Sequence, residues 1–189
     1  ISADPCRPFD AARRGINIGE AAGFALLEKS GSGPWLLGYG ESSDAHHMSS
    51  PHPDGLGARL AIEAALERAE LPAAAVDYIN LHGTASQKND EIEARVVADI
   101  FEPAVHASST KGWTGHTLGA AGILEAVITL LAVESGVLPG TLNSQALDAN
   151  CGPQIRLENA ARPIEVALSH SFGFGGSNCV LAFGNSRPH

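Results

Sequence analysis

The stretch from Gly119 to Glu134 constrains the fold more than any other part of the chain. It carries Ala121, Ile123, Leu124, Val127, Ile128, Leu130 and Leu131, apolar nearly all the way round a helix. Such a helix is buried on more than one side, which predicts a layered core with this segment inside it. One carboxylate, Glu125, interrupts the apolar run. Burying it unpaired costs on the order of several kcal/mol, so Glu125 calls for a cation. The chain has three lysines, Lys29, Lys88 and Lys111, and Lys111 is the one close by. The pair reads as a structural ion pair, or as one that also orients neighbouring side chains. The two readings are compatible.

Gly and Pro divide the rest into short apolar pieces. Gly23 to Lys29 and Trp35 to Gly40 read as strands separated by a turn over Ser30 to Pro34. Ser42 to Gly57 is polar, rich in His and Pro, and reads as a loop. Ala58 to Ala69 has helical spacing and stops before Leu71-Pro72. Val76 to Leu81 reads as a strand ending in His82-Gly83-Thr84. Asn89 or Asp90 is placed to cap a helix reaching Phe101, and a strand over Val105 to Ser108 precedes Lys111. Ile155 to Leu157, Val166 to His170 and Asn178 to Phe183 read as closing strands, the last two joined by a Gly-rich turn. Strands alternating with helices predict an α/β fold, a mixed sheet layered with helices and extended by an antiparallel pair. Neither a repeat nor a long linker is visible, so residues 1–189 read as one domain.

Charge and cysteine content narrow the function classes. Twelve Lys and Arg against 21 Asp and Glu give a net charge of −9, and no basic cluster offsets it, which argues against nucleic acid. With 44% hydrophobic and 17% charged residues the chain is no disordered acidic tail. No run is read as long enough to span a membrane, and no charged-then-apolar leader opens the chain. Cys6, Cys151 and Cys179 are odd in number and scattered, which fits neither a disulfide framework nor a zinc site and predicts a reducing cytoplasm. The first residue is Ile1 and the only methionine is Met48, which reads as a fragment or a processed start.

Three clusters could carry chemistry, each where a strand ends or a helix begins, the usual mouth of an α/β sheet. They are His82-Gly83-Thr84, the run Ser109 to His116, and the run Ser169 to Asn178. His116 lies ahead of the apolar helix, where the dipole disfavours an imidazolium, so a neutral ring donating a hydrogen bond is expected. Two neutral histidines, His82 and His116, would form an oxyanion-hole-type site. Gly173 to Gly176 reads either as a flexible loop whose flanking glycines, Gly173 and Gly175, let Phe174 swing into a pocket, or as an ordinary glycine turn joining two strands. Asp44 with His46, His47 and His52 lacks the further ligands a metal site needs, so no metal is expected. None of the cysteines reads as a nucleophile.

His82-Gly83-Thr84 with Asn89-Asp90 and Glu93, Ser109-Thr110-Lys111, Thr114-Gly115-His116, Leu118 to Gly122, and Ser171 to Asn178 together resemble the β-ketoacyl-acyl-carrier-protein synthases of the elongating type. Pro8-Phe9-Asp10, Gly15, Gly19-Glu20, Gly23 and Ser42 to Ala45 extend the similarity over the whole chain. The resemblance implies a thiolase-like fold of two similar halves, with this chain as the C-terminal half. The implied reaction is a decarboxylative Claisen condensation of malonyl-acyl carrier protein with an acyl group held on a Cys of the N-terminal half. His82 and His116 match the histidines that hydrogen-bond the malonyl thioester carbonyl. Lys111 matches the family lysine, Glu125 its buried acidic partner, Phe174 the aromatic gate, and the loop around Asp44 a neighbouring mobile segment. No resident cofactor is implied, since the substrates ride on the phosphopantetheine of the carrier protein.

The implied partners are acyl carrier protein, the N-terminal half and a second subunit, homodimeric or heterodimeric. A carrier protein is usually acidic, so a chain of charge −9 needs either a basic patch around Arg13 and Arg14 or a docking surface in the other half. Ala21-Ala22, and Ala85-Ser86-Gln87-Lys88 after His-Gly-Thr, depart from the usual pattern and bear on substrate choice. Without the Cys, the chain by itself is expected to be inactive in condensation. The competing reading is a non-catalytic partner resembling the chain-length-determining subunits. Retention of His82, His116 and Lys111 argues against it.

Overall fold

Glycines at positions 38 and 40 let a helix lie directly on the first strand. The computed structural model describes residues 1–186. In it β1 (Trp35–Ser43) runs beneath α1 (Leu56–Ala69), which buries Ala58, Ala61, Ile62, Ala65, Leu66 and Ala69. A Cβ on Gly40 would run into the carbonyl of Ala61, and one on Gly38 into that of Ala65. Small residues on both surfaces bring the two backbones together.

The chain continues through β2 (Tyr78–Asn80), α2 (Gln87–Ile100), β3 (His106–Ser108), α3 (Lys111–Thr114), α4 (Ala121–Ser135), β4 (Val137–Leu138), β5 (Ala160–Ala161), β6 (Val166–Phe172) and β7 (Ser177–Gly184). The main sheet has the order β1-β7-β6-β2-β3. β2 is parallel to both β3 and β6, whereas β6, β7 and β1 pair antiparallel, which gives the expected mixed sheet. Side chains alternate across it. Ile79 and Leu168 join the core beneath α1 and α2, while Tyr78 and Ala167 face Ala132 and Val133 of α4. Because β2, β3 and β6 run the same way, their C-terminal ends share one edge, where His82 and Ser109 to Lys111 leave the sheet beside His170 to Phe172, the end of β6 that pairs with β7 alone.

Several expectations need correction. Gly23 to Lys29 is not a strand: it finds no partner strand among the described residues, and Phe24, Leu26 and Leu27 are exposed. Alternation alone cannot supply the neighbour that a strand needs. Ile155 makes only an isolated parallel bridge to Ala107, not a strand to Leu157. α2 starts at Gln87, with Ser86 at its N-cap, because Asp90 is drawn away to other amides.

α4 buries one stripe, Ala121, Glu125, Ala126, Thr129, Ala132 and Val133, and leaves Leu131 exposed, so it is not enclosed within this chain. The apolar run was also underrated. Leu118–Ser135 has a mean hydropathy of 1.7 over 18 residues, enough by length and composition to cross a membrane. Its buried stripe nonetheless packs against the sheet and carries an ion pair, as a core helix does.

Candidate active site

α2 supplies two buried carboxylates, one helical turn apart, to the loop that follows β2. Glu93 accepts the backbone N–H of His82 through Oε1 and that of Gly83 through Oε2, each at 2.8 Å. Asp90 accepts the N–H of Thr84 at 2.9 Å and that of Phe9 at 2.8 Å. The loop is thereby fixed amide by amide, and the N-terminal arm is fastened across it. Burial pushes the Asp90 carboxyl up to about 7.

Lys111, the first residue of α3, is buried, and its ammonium donates to Glu125 Oε1 and, at 2.5 Å, to the carbonyl oxygen of His82. It also lies 3.4 Å from His82 Nδ1. An ammonium only donates, so Nδ1 is the acceptor and His82 carries its proton on Nε2. At His116, the backbone N–H of Leu118 points at Nδ1 from 3.3 Å, which also leaves the proton on Nε2. Leu118 reaches that position with a left-handed φ of 53°, rare for a leucine. The arm grips the His116 backbone from the other side, Asn17 O accepting its N–H at 2.7 Å and Gly19 N–H donating to its carbonyl at 3.0 Å.

The two rings stand nearly perpendicular, 84°, with centroids 5.2 Å apart. Burial first, and then the Lys111 charge, holds His82 well below the ordinary imidazole value. The same causes lower His116 to about 4. Both rings are neutral at physiological pH. Burial and a neighbouring cation account for this, where the sequence pointed to the helix dipole. Burial also raises Glu125 to about 7, with the Lys111 charge opposing.

The third cluster divides into a part at the histidines and a part away from them. Phe172 packs against His82 at 5.8 Å and against His170 at 5.4 Å between ring centroids. Phe174 is 79% exposed, on the short turn Phe174–Gly176 in which Gly175 and Gly176 adopt φ of 81° and 80°. Gly173 closes that turn, its N–H donating to Ser177 O at 2.7 Å, and Gly175 N–H donates to Met48 O at 2.7 Å. Asp44 is buried beneath it. Its N–H donates to Gly176 O at 2.8 Å, and its carboxylate accepts from Asn178 Nδ2 at 2.9 Å and from His52 N–H at 3.0 Å. Asp44 therefore ties the two loops together.

Arg13 is no surface cation. It is buried and bonds Asp148 at 2.7 Å, with Asp90 3.7 Å away, so it cannot belong to a basic docking patch. In sequence, Asp90 and Glu93 belong to the resemblance and His170 and Phe172 to the run Ser169 to Asn178, but none of the four is given a role of its own. Two acids at i and i+3 beside the apolar positions Ala94 and Val97 were the available signal for the carboxylates. The other two depended on knowing which strand lies beside β2.

Two fixed Nε2–H donors side by side can stabilise negative charge developing on an oxygen, with no reorganisation at the moment of reaction. None of the cysteines is poised as a nucleophile. Burial raises the thiols of Cys6 and Cys151 to about 11, and that of Cys179 upward as well.

Residues 35–145 match the family described as beta-ketoacyl synthase, C-terminal domain. The chain is 40% identical over 192 residues to the mitochondrial 3-oxoacyl-[acyl-carrier-protein] synthase of Arabidopsis thaliana, an alignment covering 94% of this chain and 42% of that protein. Its fold superposes with a TM-score of 0.93 on a chain of the ketosynthase (ApeO) in complex with its chain length factor (ApeC) from Xenorhabdus doucetiae. That pair is 42% identical over 97% of this chain and 47% of the other. A type II PKS acyl-carrier protein in complex with its ketosynthase bound to the hexaketide also matches, with a TM-score of 0.83 and 26% identity over 95% of this chain and 47% of that one. The chain spans less than half the length of these relatives. By sequence, by fold and by the match over residues 35–145, the chain belongs to the β-ketoacyl synthases and has the fold of their C-terminal half.

Proposed function

We propose that this chain is the C-terminal portion of a 3-oxoacyl-acyl-carrier-protein synthase, with residues 1–189 forming one domain of it. The observation that carries the reading is the pair of neutral imidazoles, His82 and His116, each with Nδ1 occupied by a donor and Nε2–H without an acceptor among the described residues. In the proposed reaction the malonyl C–C bond to the carboxylate breaks and CO2 leaves. Its electron pair passes into the thioester carbonyl, and the oxygen becomes an enolate held by both Nε2–H groups. The enolate carbon then attacks an acyl thioester on a Cys of the N-terminal half, expelling the thiolate. Lys111 and Glu125 hold His82 in its tautomer, Phe174 with Gly173 and Gly175 gates the acyl group, and Asp44 anchors that gate.

Both substrates arrive as thioesters on the phosphopantetheine of an acyl carrier protein, and no resident cofactor is needed. The three free cysteines fit a reducing cytoplasm. The chain alone does not condense, for want of the nucleophile. In the full-length protein, removing one oxyanion donor is worth about 10² to 10³ in kcat. His82→Ala and His116→Ala should each reduce CO2 release from malonyl-acyl carrier protein by that much and leave acylation of the Cys intact. Equal loss of both steps would sink the assignment.

The alternative is a non-catalytic chain-length-factor-like subunit, favoured by the likeness to a ketosynthase solved with its chain length factor. Alkylation followed by peptide mapping of the native protein decides between them. A reactive Cys upstream in the same polypeptide supports the synthase, and its absence supports the subunit.

A further inference from the structure

His170 takes no part in the donor pair, yet it is completely buried. It follows Ser169, the last β6 residue in register with β2, where Asn80 is the partner, so it sits beside the point at which β2 runs on into His82. Its Nδ1 is 3.2 Å from Glu93 Oε1. A carboxylate oxygen accepts, so the His170 proton is on Nδ1. That same oxygen accepts the backbone N–H of His82 at 2.8 Å, while Oε2 accepts Gly83 N–H at 2.8 Å and Asn89 Nδ2 at 3.4 Å. The Phe172 ring lies against both imidazoles.

The remaining nitrogen, Nε2, is buried and has no hydrogen-bond partner among the described residues. An apolar ring would occupy the space without stranding an acceptor in the interior. What the imidazole adds is the bond from Nδ1–H to Glu93.

We propose that His170 is a positioning residue for His82: by donating from Nδ1 to Glu93 Oε1 it fixes the carboxylate from which the His82 and Gly83 amides hang. The proposal rests on His82 acting as an Nε2–H donor to the thioester oxygen. Loss of the His170 donor frees Glu93 to turn and shifts His82 with it. A displacement of about 1 Å in a catalytic group can cost about 10²-fold in rate.

The test uses the full-length protein. His170→Phe should lower kcat for CO2 release from malonyl-acyl carrier protein about tenfold, leave KM within about twofold and leave acylation of the upstream Cys unchanged. His170→Asn, whose amide restores a donor, should recover most of that loss. A His170→Phe variant as active as the parent overturns the proposal, as does a His170→Asn variant that fails equally while folding normally. Histidine ¹⁵N NMR of the unaltered protein gives a test independent of variant folding. It should show a proton on His170 Nδ1, and an unprotonated Nδ1 overturns the proposal. His82→Ala separates the two levels of argument. CO2 release that survives it removes the functional reading, whereas an effect missing only at His170 removes this inference alone.

Discussion

The ammonium of Lys111 lies 2.5 Å from the carbonyl oxygen of His82 and 3.4 Å from its Nδ1, so one side chain fixes both the backbone and the tautomer of the histidine. The same ammonium neutralises Glu125, whose other oxygen, Oε2, has no partner among the described residues. Pairing with Glu125 and orientation of His82 therefore meet in one residue, and they separate experimentally.

Removing one member of a buried ion pair strands the other, a loss of about 3–5 kcal/mol, whereas replacing both with apolar residues of similar volume is often neutral. Lys111→Met is expected to destabilise the protein by that amount. Lys111→Met with Glu125→Leu should recover more than half of it. CO2 release should not recover in the double variant, because His82 Nδ1 still lacks its donor. Urea denaturation and a decarboxylation assay on the same preparations check the split.

The pH dependence of stability follows from two groups of opposite sign. Burial and Lys111 lower His82 and His116, so the unfolded chain binds protons there below about 6.5 while the folded one does not. Stability falls as the pH falls through that range. Glu125 and Asp90, both raised to about 7 by burial, are protonated in the folded state where the unfolded chain is ionised, so they favour folding as the pH drops from 7 toward 4.5. The two trends offset each other. Glu125→Gln removes one of the opposing carboxyls, and its urea midpoint should fall more steeply than the parent's between pH 6.5 and 4.5. Parallel curves would show that Glu125 is not raised.

What the sequence made legible was whatever its own neighbours determine. Helical spacing located α1 and α4, and short β-rich runs located β2, β3, β6 and β7, because those periods report which face is apolar. The same periods failed at Gly23 to Lys29 and on the outer face of α4, since an apolar face does not say what covers it. At the site, Lys111 and Glu125 were legible because a lone charge in an apolar run has to be compensated. The run Ser169 to Asn178 was legible as a cluster, but the contacts of His170 and Phe172 with Glu93 and His82 were not, because they depend on β6 lying next to β2, a pairing between residues far apart in sequence.

Phe174 and Phe172 belong to the same run of residues and occupy different environments, one exposed and one half-buried against the imidazoles. Phe174 is exposed, so Phe174→Ala should change stability by no more than about 0.5 kcal/mol while altering acyl-chain selectivity. Phe172 packs at a tilt against His82 and His170, and Phe172→Ala should lower CO2 release itself with little change in selectivity. Competition assays with short and long acyl donors, run beside thermal unfolding, distinguish the two. An unchanged acyl profile in Phe174→Ala would leave its turn a passive connection between β6 and β7.

The turn after Phe174 is held by Gly176, whose φ of 80° lies in the left-handed region and whose carbonyl accepts Asp44 N–H. A Cβ added there would come within 2.9 Å of Asp44 Cβ. Gly176→Ala therefore combines backbone strain of about 1–2 kcal/mol with a clash against the residue that joins the two loops. Asp44→Ala breaks the same junction from the other side, removing the acceptor for Asn178 and His52. Each variant should raise the rate of proteolytic cleavage in the segment around Met48, which the Gly175 N–H otherwise holds. Because both act on one junction, the double variant should be cleaved little faster than the worse single one, the non-additivity expected of residues in contact. Additive effects would mean that Asp44 and Gly176 restrain their loops separately.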